Sequence, residues 1–125
     1  MKNNYIFLDH ENKYPIIFNL NVMEEIQDAF GSFDKWAEKL KPEDDAELDI
    51  KALKLGMTIA MNEAIDMINE ETGSKTPMLT EKQVGRIITS IGLEKIGMSI
   101  GEAVQDGTGA SETSTQEISE EEKKE

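Results

Sequence analysis

A mainly α domain opened by a small N-terminal β-hairpin is the fold class this sequence predicts, and three observations predict it. Two short β-branched and aromatic runs, residues 5–8 and 14–18, flank a polar stretch near the start. From Asn21 onward the apolar residues recur with a helical period, punctuated by cap signatures. From Gly107 to the end Ile118 is the only large apolar side chain, so the last segment has nothing to place in a core.

The hairpin comes first. Pro15 has no N–H to give a ladder, so that side of its strand is expected to face outward, at an edge or at the strand's start. An isolated hairpin is marginal in water, so this one is expected to lie on the domain's own helices. About five helices follow. Asn21 and Glu24 read as an N-cap and N3 pair, Val22, Met23, Ile26, Ala29 and Phe30 share one face, and Gly31 closes the helix. Ser32 then caps a short helix over residues 33–40 that carries Trp36, Ala37 and Leu40. Pro42 and the acids after it suit a break and the start of the next helix.

That third helix, expected over residues 46–71, is apolar nearly all round. Its polar positions Lys51, Lys54, Thr58, Asn62, Asp66 and Asn69 fall on one narrow stripe. Such a helix is either the central core element or is covered on its second side by a partner. Residues 73–77 break the chain, and Thr80-Glu81-Lys82-Gln83 forms a capping box with Leu79 and Val84 as a hydrophobic staple. Gly92 separates this fourth helix from a fifth over residues 93–105. There Gly97 and Gly101, one turn apart, suggest close backbone approach: a tight crossing inside the domain is the simpler expectation, a dimer seam the other.

The chain's 125 residues suit one domain, expected over 1–106, with 107–125 as a disordered acidic tail. Acids outnumber bases 26 to 13, giving a formal charge of −13. A field of that sign disfavours nucleic acid and anionic lipid as partners. No apolar run approaches a membrane span, and the four apolar residues after Asn4 are too few for a signal peptide. With no cysteine and one histidine, His10, disulfides, thiol nucleophiles and multi-histidine metal sites are excluded. The acids at 43–45, 47 and 49 lack the spacing of a calcium loop. Asp106-Gly107-Thr108-Gly109 has no preceding strand and is not expected to cradle phosphate. No catalytic residue, cofactor or metal is expected, and the protein is not expected to be an enzyme. Methionine is the less ordinary feature: Met57, Met61 and Met67 share the long helix, with Met78 just beyond. Flexible thioethers suit either an irregular core, the simpler reading, or an adaptable groove for partner helices.

Residues 13–26, Lys-Tyr-Pro-Ile-Ile-Phe-Asn-Leu-Asn-Val-Met-Glu-Glu-Ile, followed by Phe30-Gly31-Ser32, resemble the opening of tail assembly chaperones of long-tailed phages and prophages of Gram-positive bacteria. In that family a short hairpin leads into an Asn-capped helix ending in Phe-Gly. Residues 61–66, 69–71 and 79–86 are similar to the same family's second half, whereas residues 41–49 follow none of its patterns. The resemblance covers about residues 5–105. It implies a non-catalytic protein of the bacterial host cytoplasm, absent from the finished virion, which coats the tape-measure protein and helps bring tail-tube subunits to it. The binding surface expected here is Met57, Met61, Ile65 and Ile68, with Lys54 and Arg86 as polar rim. Such chaperones are often made in a second, longer form by ribosomal slippage, which would place the slip at Lys123 and Lys124. Two other classes fit the composition: a structural tail-completion protein, and an acidic inhibitor that mimics DNA. The acids are spaced too irregularly to favour the mimic.

The tail carries six Glu and two Lys, a net −4, against −9 for the rest. Ending the chain after Asp106 is therefore expected to leave thermal unfolding cooperative and Tm nearly unchanged. A large drop in Tm on scanning calorimetry would show that the tail docks.

Overall fold

A computed structural model describes residues 6–8, 11, 14–40 and 48–108. His10, the acids at 43–45 and 47, and residues 109–125 with Lys123 and Lys124 lie outside the described residues. In chain order the elements are β1 (Ile6–Phe7), β2 (Pro15–Ile16), α1 (Leu20–Phe30), α2 (Phe33–Leu40), α3 (Ile50–Thr72), α4 (Glu81–Ile91) and α5 (Leu93–Thr108). The fold is mainly helical with a short two-stranded hairpin, as the pattern predicts.

The hairpin is antiparallel, with Ile6 opposite Ile16 and Phe7 opposite Pro15. The Leu8 N–H donates to the Tyr14 carbonyl at 2.8 Å, which leaves Pro15 at a position where its ring nitrogen points away from β1. Both strands are shorter than the apolar runs that announce them. The reason lies in α3: after Ile16 the backbone leaves its strand partner, and the Ile17 N–H donates to the Ala60 carbonyl at 3.4 Å. Ile16, Ile17 and Phe18 are all buried.

α1 starts two residues earlier than its cap pattern suggests. Asn19, not Asn21, is the N-cap, its side-chain oxygen accepting from the Val22 N–H at 3.1 Å. The amide of Asn19 also donates to Glu63 on α3 at 2.8 Å, and Asn21 donates to the same carboxylate oxygen at 3.0 Å. Asn19 thus caps the helix end with its oxygen while its amide, like that of Asn21, ties this end to α3. Leu20 is left 81% exposed as a result. Gly31 closes the helix at φ 95°, a conformation a side chain would strain, and its N–H reaches the Gln27 carbonyl. Ser32 then caps α2, accepting from Lys35 at 3.0 Å as expected.

α3 begins at Ile50, later than the expected 46, because Asp49 serves as its N-cap and accepts from Ala52 at 3.0 Å. The Asp49 N–H meanwhile donates to the Lys39 carbonyl at 3.1 Å, so one residue ends the link from α2 and starts α3. At 23 residues α3 spans about 35 Å, and every other described element except α5 makes its main packing against it or against its immediate neighbour α1 or the hairpin. Its core face holds Ala52, Leu53, Met57, Ala60, Met61 and Ala64. Trp36 crosses this face, fully buried, with its indole N–H donating to the Ala52 carbonyl at 2.8 Å. Phe18 and Phe33 pack on the indole at centroid distances of 5.7 and 5.4 Å.

The polar stripe of α3 is partly an internal fastening rather than a solvated edge. Asn62 binds the Leu79 backbone at both ends, accepting from its N–H at 2.7 Å and donating to its carbonyl at 3.0 Å. Two turns on, Asn69 does the same to Thr76, at 3.1 and 2.9 Å. Residues 74–80 are thereby held in extended form along the helix that precedes them. Gly73, at φ 75°, supplies the left-handed turn that starts the segment. The predicted capping box is present: Thr80 accepts from Gln83 at 3.1 Å and Gln83 from Thr80 at 2.8 Å. α5 continues to Thr108, three residues past its expected end, and buries Ile96, Ile100 and Ala103. Among the described residues the tight internal crossing expected at Gly97 and Gly101 is not formed. Both are exposed, and a Cβ on either would meet no described atom within 4 Å.

Gly56 is the glycine whose lack of a side chain the core requires. A Cβ there would lie 2.2 to 2.5 Å from three atoms of the Trp36 ring. Ala would favour the helix by about 1 kcal/mol in isolation. Gly56→Ala is nevertheless expected to destabilise the fold by about 2 kcal/mol or more, because neither the buried indole nor the helix can retreat. Urea unfolding followed by tryptophan fluorescence measures it.

Candidate binding surface

The six residues expected to form one surface are divided by the fold. Met57 and Met61 are fully buried in the core, and Ile65 is nearly so. The thioethers therefore fill an irregular core, as the simpler reading had it, and offer no open stripe. Sequence spacing could not decide this, since a helix covered on both sides by its own chain has the same pattern as one awaiting a partner.

Ile68 is half-buried and, with an edge of Ile65, lines a groove of about 310 Å³ between α3, the hairpin and the extended segment. Phe7, Tyr14, Pro77 and Leu79 complete its apolar walls. Met78, on the extended segment beside it, is 46% exposed. The Asn69 clamp on Thr76 holds one wall of this groove, and the Asn62 clamp on Leu79 holds its other end.

Lys54 and Arg86 lie elsewhere, on a larger groove of about 830 Å³ between the N-terminal half of α3, α4 and the start of α5. Leu53 and Ile88 form its buried floor. Ile50 and Leu93, each 52% exposed, stand at its edges. Lys82 joins Lys54 and Arg86 there, and among the described residues no carboxylate lines the groove. The sequence reading missed Lys82, although its place four residues before Arg86 puts the two cations on one helical face. The stem of Lys54 crosses α4 over Gly85, where a Cβ would sit 3.3 Å from its Cε.

A third hollow, about 450 Å³ and almost wholly apolar, runs between α2 and α5 and is bordered by Trp36, Leu40, Leu48, Ile96 and Ile100. Gly97 and Gly101 border it as well. Among the described residues no group of three His, Cys, Asp or Glu could hold a metal ion, and no helix is long and apolar enough to cross a membrane. The arrangement offers binding chemistry: apolar grooves with polar rims, held by a rigid central helix. No family model, curated protein or solved structure matches this chain.

If Met61 belongs to the core, Met61→Asp should remove most of the folded state rather than selectively impair binding. A carboxylate at that position has no partner and would destabilise the fold by on the order of 4 kcal/mol. Far-UV circular dichroism and a urea titration separate the outcomes. A folded variant of normal stability would return Met61 to the surface.

Proposed function

We propose that the chain is a non-catalytic tail assembly chaperone of a phage or prophage, acting in the cytoplasm of its bacterial host. In this reading it binds the tape-measure protein while the tail-tube subunits are brought to it. The observation that carries the reading is the order of elements along the chain. A hairpin leads into an Asn-capped helix ending at Phe30 and Gly31, then a short helix, a long helix and a helix opened by a capping box, and the residues that resemble the family fall at β2, α1, the second half of α3 and the start of α4. The physics of the surface supports it. Exposed apolar side chains, Phe7, Met78 and Met98 among them, lie in a chain of formal charge −13. Apolar patches can cover the apolar stripes of long helical segments, while the negative charge keeps the complex dispersed. The groove beside Ile68 and Met78 is assigned to this contact, because its walls are fixed by the two asparagine clamps and need no reordering on binding.

Co-expression with the tape-measure protein of the same phage tests the reading. The partner is expected in the soluble fraction only when this chain is present, and Met78→Glu is expected to lower that fraction several-fold without unfolding the chain. Mass spectrometry of purified particles should find the chain missing. Its presence in stoichiometric amount would instead make it a structural part of the virion.

A further inference from the structure

We infer that the groove between α3, α4 and α5 is a docking site for an amphipathic helix of a partner protein whose apolar stripe is flanked by carboxylates. The first ground is charge. Lys54, Lys82 and Arg86 converge on one face of α4 in a chain with twice as many acids as bases. Among the described residues none of the three side chains makes a hydrogen bond or ion pair, and no acid lines the groove. Like charges one turn apart on a helix repel, so the cluster works against the fold unless something anionic meets it.

The second ground is shape. Gly85 has no side chain, which lets the stem of Lys54 lie flat across α4 and leaves its ammonium beside the opening. Below the cations Leu53 and Ile88 make an apolar floor, and Ile50 and Leu93 expose further apolar surface at the edges. An occupant must therefore be apolar in the middle and negative at its margins. A free phosphate would leave the floor empty, and a long polyanion would be repelled by the remaining charge of the molecule. A helix with a leucine-type stripe and flanking Glu or Asp meets both demands, in the manner of helix-in-groove recognition. α4, at 11 residues, presents about 16 Å of groove, which matches three turns of a bound helix. The inference goes beyond the chaperone reading by adding a second contact in a separate groove, and rests on that reading only for the source of the helix.

The test uses the full chain and a synthetic helix of about 18 residues, roughly 27 Å long, with a Leu stripe flanked by Glu. Fluorescence anisotropy is expected to show binding that weakens as salt rises. The double variant Lys82→Glu, Arg86→Glu, at two exposed positions, should weaken it by about tenfold or more. Lys75→Glu, an exposed cation beyond the opposite end of α3, should leave it unchanged. The inference is overturned by no binding, by equal binding of a Lys-flanked version, or by equal loss with Lys75→Glu. A short DNA duplex that binds where the peptide does not would overturn it too. So would a gain of about tenfold or more on removing residues 109–125, which would put the chain's own acidic segment in the groove. Tape-measure solubility is read separately, so the groove assignment and the chaperone reading fail independently.

Discussion

The buried indole of Trp36 lying against Gly56 is the constraint on which the other packing depends. A tryptophan ring can press directly on a helix backbone only where that helix has no side chain, and α3 provides that gap at a single turn. The indole N–H would be an unsatisfied buried donor were it not for the Ala52 carbonyl one turn back. Ring, gap and carbonyl together fix α2 in position and in rotation about its own axis. Phe18 and Phe33 then stack on the ring, which carries the constraint from α2 to the chain leaving the hairpin.

Around this point α3 holds its neighbours by different chemistry on each side. Toward α2 the contact is aromatic and apolar. Toward the start of α1 it is the Glu63 carboxylate, accepting from two asparagine amides. Toward the connection with α4 it is a pair of asparagine side chains that imitate a neighbouring strand, each offering one donor and one acceptor to the backbone of one residue, Leu79 or Thr76. Side chains of one helix thus do what a sheet or a second helix does elsewhere. The two grooves open where these fastenings leave gaps, one beside the clamped segment and one where cations replace apolar contacts.

Local signals proved legible and tertiary ones did not. The capping box at Thr80, the Ser32 cap, the closing glycine at 31 and the break at 73–77 were readable because each depends on residues close in sequence. The N-cap of α1 was misplaced by two positions because the chain offers Asn at both 19 and 21. Both amides end up on Glu63, which lies far along the chain, so local pattern alone does not separate them. Met57 and Met61 were ambiguous for the same kind of reason: period and polarity describe a buried face and do not say which chain buries it. Gly97 and Gly101 had the spacing of a close crossing, but among the described residues they face a hollow opposite α2 with no atom in contact. The cationic groove was half readable, since Lys82 and Arg86 pair on one face of α4, whereas the approach of Lys54 from α3 is a consequence of Gly85.

Asn19 and Glu63, which meet across the start of α1, are separated by 44 residues. During synthesis at about 5 to 20 residues per second, the N-terminal hairpin waits roughly 2 to 9 seconds for the carboxylate that holds α1 in place. The Ala60 carbonyl that receives the Ile17 N–H emerges just as late. A two-residue ladder cannot persist alone over that interval. The order of emergence therefore makes α3, and not the hairpin that precedes it, the element on which these parts of the nascent protein assemble.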